Sequence, residues 1–310
     1  MDAMAKGNYA VRARNLSKRF GSVEALRDIS FGLERNELLV LIGSNGAGKS
    51  TLLKTAAGLY RPSRGSIEVL GDDAYSHNPD VLRRISFLGE NYALYDNLTV
   101  KDNLRFFSRM YGIEAGKSDG IYMELLAKLR ATEYLNRKVS QLSRGTKQKV
   151  AICRALINTP EVLFLDEPTA FLDASSSEWI RNFILDYGRK KKTILFVTQK
   201  LDEVSRFNSR LIIMREGKIV EDTTTYNIYN EIMKSSSILV RFARPVSISM
   251  LKKIGYKFDS MKSKEVSSAK FYINSYKDVN LLIGKLIKNK AFVLGVDYIE
   301  PLVERISTGG

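Results

Sequence analysis

The chain has 310 residues, room for one large domain or two ordinary ones, and its apolar (44%) and charged (27%) fractions are those of a globular protein with a sizeable core. Lys and Arg outnumber Asp and Glu by 49 to 34, and the resulting +15 suits polyanions: nucleotide phosphates, nucleic acid or an anionic membrane face. A single cysteine, Cys153, excludes an internal disulfide and a Cys-rich metal site, and a single histidine, His77, argues against a His-based triad or zinc site.

In chain order, the start MDAMAKGNYAVRARN has no apolar signal core, and no later stretch reaches the roughly 18 apolar residues that span a bilayer. The expectation is a chain that stays in the cytoplasm unless a partner holds it at a membrane. ELLVLIG predicts a strand and KSTLLKTAAGL a helix; SIEVLG, VLFLD, TILFVTQ and RLIIMREGKIVE continue the strand series, with helical stretches between. This is an α/β alternation around a mixed or parallel sheet. From about Gly89 to Val150 strand signals vanish. NLTVKDNLRFFSRMYG and GIYMELLAKLRATEYL have helical spacing, which predicts a helical insertion. Cys153 falls in a helical pattern and is expected in the core, while His77 sits in the loop-like AYSHNPD.

The polar YNEIMKSSS predicts a boundary near residue 235, with domains over 1–232 and 236–310. Beyond it, ILVRFAR, VSISMLKKIG, YKFDSM, AKFYINSY, DVNLLIGKLIKNK and FVLGVDYIE read β-α-β-β-α-β, the order of a ferredoxin-like sandwich. Residues 231–310 carry 14 basic and 7 acidic side chains, roughly twice the positive charge density of the rest.

Three stretches carry chemistry. GSNGAGKST, from Gly43 to Thr51, matches G-x-x-x-x-G-K-[ST] between a strand and a helix. Gly43, Gly46 and Gly48 let the backbone turn its N–H groups inward, with Ser44, Asn45 and Ala47 between them, and the helix end adds a positive partial charge. Lys49 can reach β- and γ-phosphates, and Ser50 can bind Mg²⁺. VLFLDEP brings Asp166 and Glu167 out at the carboxyl end of a buried strand; Asp166 suits the Mg²⁺ shell and Glu167 an attacking water. QLSRGTKQKVAICRAL opens a helix at Ser143 and Gly145, which reads either as an ordinary capped helix or as a second phosphate-binding end. Gln199, at the end of TILFVTQ, can exchange hydrogen bonds with a ligand but cannot carry a proton on and off near neutral pH.

The order GSNGAGKST, LSRGTKQ, VLFLDEP, AFLD resembles the ATP-binding cassette (ABC) family over about Ala10 to Asp222. LSRGTKQ stands where that family has its LSGGQ-type signature, with Arg144 in place of the first glycine. AFLD, with Asp173, matches the D-loop; KRFG, with Phe20, fits the aromatic that stacks on adenine; FLGENYALYDNLTV fits the Q-loop region. The βαββαβ tail looks like the extension of the ABC-2-type branch, which exports drugs, lipids or polyketides.

The resemblance implies a P-loop NTPase core with a helical subdomain, binding ATP and Mg²⁺ and hydrolysing ATP. ATP contacts would come from Phe20, Gly43 to Thr51, Ser143, Arg144, Gly145, Gln148 and Asp173. Mg²⁺ would be held by Ser50, Glu90 and Asp166, and catalysis would fall to Glu167 and Gln199. It further implies head-to-tail pairing with a second cassette and separate transmembrane subunits at the cytoplasmic face of the membrane, with export as the expected direction.

Two residues depart from the family pattern. Glu90 occupies the Q-loop position, and Gln199 stands where a histidine usually contacts the γ-phosphate. These departures keep open a low-turnover regulatory cassette. The charge keeps open a nucleic-acid-associated cassette, although the long coiled coil or second cassette of such proteins is absent from this sequence.

Overall fold

Three apolar runs set the frame of the first unit. LLVLIG forms β3 (Leu38–Gly43), VLFLD forms β7 (Val162–Asp166) and TILFVT forms β8 (Thr193–Thr198), and nearly every side chain in them is buried. Strands covered on both faces need continuous apolar runs, which is why these lack the alternation of a half-exposed strand. With β6 (Ile85–Leu88), β9 (Arg210–Arg215) and β10 (Lys218–Thr224) they make a six-stranded sheet in the order β10-β9-β3-β8-β7-β6. Strands β9, β3, β8, β7 and β6 run parallel.

The computed structural model describes residues 8–199, 207–228, 237–259, 264–273 and 276–299. A second sheet was not separately legible in the sequence. Strands β1 (Tyr9–Phe20), β2 (Val23–Glu34), β4 (Arg64–Val69) and β5 (Asp72–Asp73) form an antiparallel sheet in the order β2-β1-β4-β5. The register of β1 shifts at several points, so its buried positions lose strict period two and the strand pattern blurs. Helix α1 (Lys49–Ala56) packs with both sheets, and one apolar cluster joins Leu16, Phe31 and Ile67 of the antiparallel sheet to Leu52 and Leu53 of the helix and Leu41 and Phe164 of the parallel sheet.

A short helix, α2 (Pro79–Leu82), precedes β6. The helical insertion is then built as expected from α3 (Val100–Met110), α4 (Ala115–Lys128) and α5 (Arg144–Leu156). Thr99 caps α3 by accepting the Asp102 N–H at 3.1 Å. Arg105 on α3 grips Asp119 on α4 through both carboxylate oxygens, at 3.0 and 2.5 Å, and the Tyr122 hydroxyl donates to the same carboxylate at 2.8 Å. Cys153 is fully buried, as expected of a core residue, and burial pushes its thiol pKa up. After β7 comes α6 (Ala174–Gly188), capped by Asp173.

The chain divides into two compact units between Asp222 and Thr223, earlier than the boundary expected near residue 235. All of YNEIMKSSS but Ser237 lies outside the described residues. The second unit runs β11 (Ser237–Ser247), α7 (Ile248–Lys253), β12 (Phe258–Asp259), β13 (Glu265–Tyr272), α8 (Tyr276–Lys288) and β14 (Val293–Ile299). Its sheet is antiparallel in the order β12-β13-β11-β14, the ferredoxin-like arrangement that the sequence predicts. Its own core gathers Ile238, Val240 and Phe271 from the sheet with Leu251 and Leu282 from the helices.

Candidate active site

The phosphate-loop sequence takes up the conformation its glycines permit. A Cβ on Gly43 would stand 2.3 Å from the Met214 carbonyl oxygen, and one on Gly48 would stand 2.5 Å from that of Ala25, so the chain can pass there only without side chains. Gly48 also has φ 98°, a left-handed value that turns the loop into α1. Asn45 and Gly46 are exposed at the loop's tip, with Ser44 half-buried and Ala47 buried. Lys49 is buried, and its ammonium folds onto the loop, donating to the Gly43 and Ser44 carbonyls at 2.8 and 2.9 Å. Burial lowers its pKa, opposed by the carboxylates of Glu167 and Asp166. Thr51, next to Ser50, lies half-buried in the first turn of α1 and accepts the Thr55 hydroxyl at 2.7 Å.

Sheet order brings the remaining groups to this loop. Strand β8 lies between β3 and β7, with Thr198 level with Ile42 and Val197 level with Asp166. Gln199, which is exposed, therefore leaves the sheet between the phosphate loop and the acidic pair. The Ser50 hydroxyl donates to Asp166 Oδ1 at 3.1 Å. Asp166 is 1% exposed, and its Oδ2 has no hydrogen-bond partner among the described residues. Burial raises the Asp166 pKa; the Ser50 bond lowers it and the nearby charge of Glu90 raises it further. A buried carboxylate with an unsatisfied oxygen beside a hydroxyl fits Mg²⁺, which takes few protein oxygens and completes its shell with water and phosphate.

Glu167 sits at φ 49°, a strained value for a side-chain-bearing residue. It is held there by its N–H donating to the Val197 carbonyl at 3.0 Å and by its own carbonyl accepting from Ala170 N–H at 3.0 Å. Its Oε2 accepts the Thr198 hydroxyl at 3.4 Å. Thr198 went unnoticed in the sequence, although a hydroxyl closing a fully apolar strand beside Gln199 is a legible signal.

The signature residues gather elsewhere. Ser143, Arg144, Gly145 and Asp173 line a cleft of about 450 Å³ together with Thr146, Lys149 and Phe171. Ser143 caps α5 through Thr146 N–H at 3.2 Å, and Asp173 caps α6 through Ser176 N–H at 2.8 Å. Those bonds from Ser176 hold the Asp173 pKa down. The Arg144 guanidinium stands 5.4 Å from the centre of the exposed Phe171 ring. Lys149, one turn along α5 from Gly145, was missed because its helix face is set by packing.

One residue expected to contact ATP stands apart from the others. Gln148 does not face this cleft: it is 3% exposed, and its amide donates to the Pro168 carbonyl at 2.7 Å. That bond braces the turn after Glu167. Phe20, expected to stack on a base, is 43% exposed at the end of β1, edge-on to Tyr60 at 5.2 Å and under the Lys18 ammonium at 4.9 Å.

The ABC transporter family model matches residues 26–170. The ABC transporter ATP-binding protein NatA of Bacillus subtilis is 38% identical over 208 residues, covering 67% of this chain and 85% of that protein. The sulfate/thiosulfate import ATP-binding protein CysA of Synechocystis is 37% identical, over 69% of this chain and 61% of its own length. Among solved structures, an ATP-binding subunit of an ABC transporter superposes with a TM-score of 0.66 at 28% identity, covering 72% of this chain and 92% of its own. A dimeric ATP-binding cassette in a post-hydrolysis state with ADP and Pi superposes at 0.64 with 25% identity, covering 69% and 98%. The chain belongs to the ABC transporter family, as an ATP-binding cassette that hydrolyses ATP with Mg²⁺.

Proposed function

We propose that this chain is the ATPase subunit of an exporter of the ABC-2 type, working with separate membrane-spanning subunits on the cytoplasmic face of the membrane. The observation that carries the reading is the split of the nucleotide machinery. The phosphate loop with Asp166 and Glu167 forms one site, while Ser143, Arg144, Gly145 and Asp173 line a cleft that no phosphate-loop residue enters. Both sets can act on one nucleotide when a second cassette supplies one of them. Export is supported by the βαββαβ unit, which resembles the extension of the ABC-2 branch. Import is a second reading, favoured by relatives such as CysA whose names state it.

In this reading the N–H groups opening α1 and the Lys49 ammonium bind the phosphates. Ser50 and Asp166 hold Mg²⁺, with Glu90 near enough to share its field. Bound Mg²⁺ would neutralise the phosphate oxygens and polarise the terminal phosphoryl group. Glu167 takes the proton of the attacking water, with its carboxylate steadied by Thr198. Gln199 donates an amide hydrogen bond to the terminal phosphate, a weaker contact than a cationic histidine makes. Phe20 stacks on the adenine.

A cleft of about 420 Å³ walled by Leu82, Phe87, Phe107 and Met110 is apolar enough to seat a helix of a membrane subunit. Arg154 of the signature helix α5 donates to the Phe87 carbonyl at 3.0 Å on its wall, three residues before Glu90. Movement of α5 on nucleotide therefore reaches the surface where the partner docks. The test is Mg-ATP turnover by the purified chain beside Glu167→Gln. Turnover that disappears in the variant while ATP binding persists supports a working motor. ATP bound with no turnover in either protein points instead to a low-turnover regulatory cassette or to a site that its membrane partner completes.

A further inference from the structure

One cavity of the first unit plays no part in nucleotide binding. It is a cleft of about 770 Å³ between α4 and α6, within the usual range for a small-molecule site. Its α6 wall carries Trp179 and Phe183, one turn apart, with rings stacked at 5.8 Å and 14° between planes. Its α4 wall carries Ile121 and Leu125, also one turn apart, and all four side chains are only half-buried. Two walls of flat and branched apolar surface facing one gap suit a planar ring system.

The rim of this cleft is basic once its internal pairs are set aside. Glu124 is ion-paired with Lys128, and Asp186 is bonded to Arg189 at 2.8 Å. Lys190 and Lys192 are the other cations of the lining, Lys190 within the field of Glu124 and Lys192 5.8 Å from the centre of the Tyr187 ring. Lys190 is exposed, and Lys192 is half-buried with its ammonium donating to the Thr159 carbonyl at 2.9 Å. Burial lowers the Lys192 pKa, and the nearby charge of Glu161 opposes that shift. A single anionic group at this end would meet two ammoniums while its rings lay against Trp179 and Phe183.

We propose that the cleft between α4 and α6 is a binding site for a planar aromatic organic anion, held by Trp179 and Phe183 on its ring face and by Lys190 and Lys192 at its charged end. Neither the phosphate loop nor the signature cleft contributes to it. Its occupant would tie α4 of the helical arm to α6, the helix that Asp173 caps in the signature cleft.

Trp179 is the only tryptophan in the chain, so sensitised emission marks dye bound in its neighbourhood, and the lysine variants assign that dye to this cleft. The experiment titrates the whole chain with anilinonaphthalene sulfonate, exciting tryptophan and reading dye emission. Phenylnaphthylamine, the same ring system without the sulfonate, is the neutral control. The expected result is sensitised emission that saturates, binding of the sulfonate about tenfold tighter than of the neutral dye, and no displacement by saturating Mg-ATP. That preference should vanish in Lys190→Ala/Lys192→Ala, with Lys190→Ala alone as the milder variant and Mg-ATP binding as the check on folding. Absence of sensitised emission overturns the proposal. So does equal binding of the two dyes, or a sulfonate preference unchanged in the lysine variants, because the cleft would then be a plain apolar face. Displacement by Mg-ATP would place the dye on the nucleotide site and overturn it as well.

Discussion

Among the described residues Lys49 is buried, bonded only to loop carbonyls, and lowered in pKa by that burial. A phosphate replaces those neutral acceptors with charged ones, so the site is arranged to gain on binding. Lys49→Ala should weaken Mg-ATP binding by about tenfold to a hundredfold, the worth of a charged hydrogen bond, as read by titration calorimetry. Gln199 leaves β8 between the phosphate loop and Glu167, so in the proposed reading it meets the reacting end of the nucleotide, where the family usually has a histidine. A donor aimed at developing charge matters most in the transition state. Gln199→His should therefore raise the turnover number by about tenfold or more with little change in KM, measured under steady state. A fall in turnover would mean that the amide is already the better fit.

Among the elements, α3 and α4 of the helical arm are joined by a surface ion pair with good geometry. Hydrogen bonds from Arg105 and Tyr122 depress the Asp119 pKa to about 2. A depressed carboxylate stabilises the fold above its unfolded pKa, and the contribution is lost as pH falls through the folded value. Asp119→Asn should thus lower the melting temperature near pH 7, and the gap to the parent chain should close as pH approaches about 2. Melting curves across that range check the sign: a gap that widens in acid would refute the assignment. The arm's existence is legible in the spacing of NLTVKDNLRFFSRMYG and GIYMELLAKLRATEYL. Which face of α5 turns inward is not, because Gln148 and Lys149 are both polar and sit side by side in sequence. Packing against the turn after Glu167 buries the first and leaves the second on the signature cleft.

At the scale of the whole molecule, the proposed reading of two half-sites on one cassette calls for a second cassette. With Glu167→Gln to prevent turnover, Mg-ATP should double the mass of the chain in sedimentation, and Lys49→Ala should stay at the nucleotide-free mass. A mass that rises only when a different cassette is added would mean that the pairing is heterologous. The sequence by itself determined the phosphate loop, the Asp166–Glu167 pair, the signature helix start, the helical insertion and the βαββαβ tail. Each is a contiguous run whose local spacing and turn chemistry carry the signal. Only the tertiary structure decided that β8 stands between β3 and β7, that Thr198 steadies Glu167, that Gln148 is buried, and that Trp179 faces a basic-rimmed cleft. Those outcomes depend on strand order and helix packing between segments far apart in the chain, where the energies of burial and not the local pattern choose the neighbour.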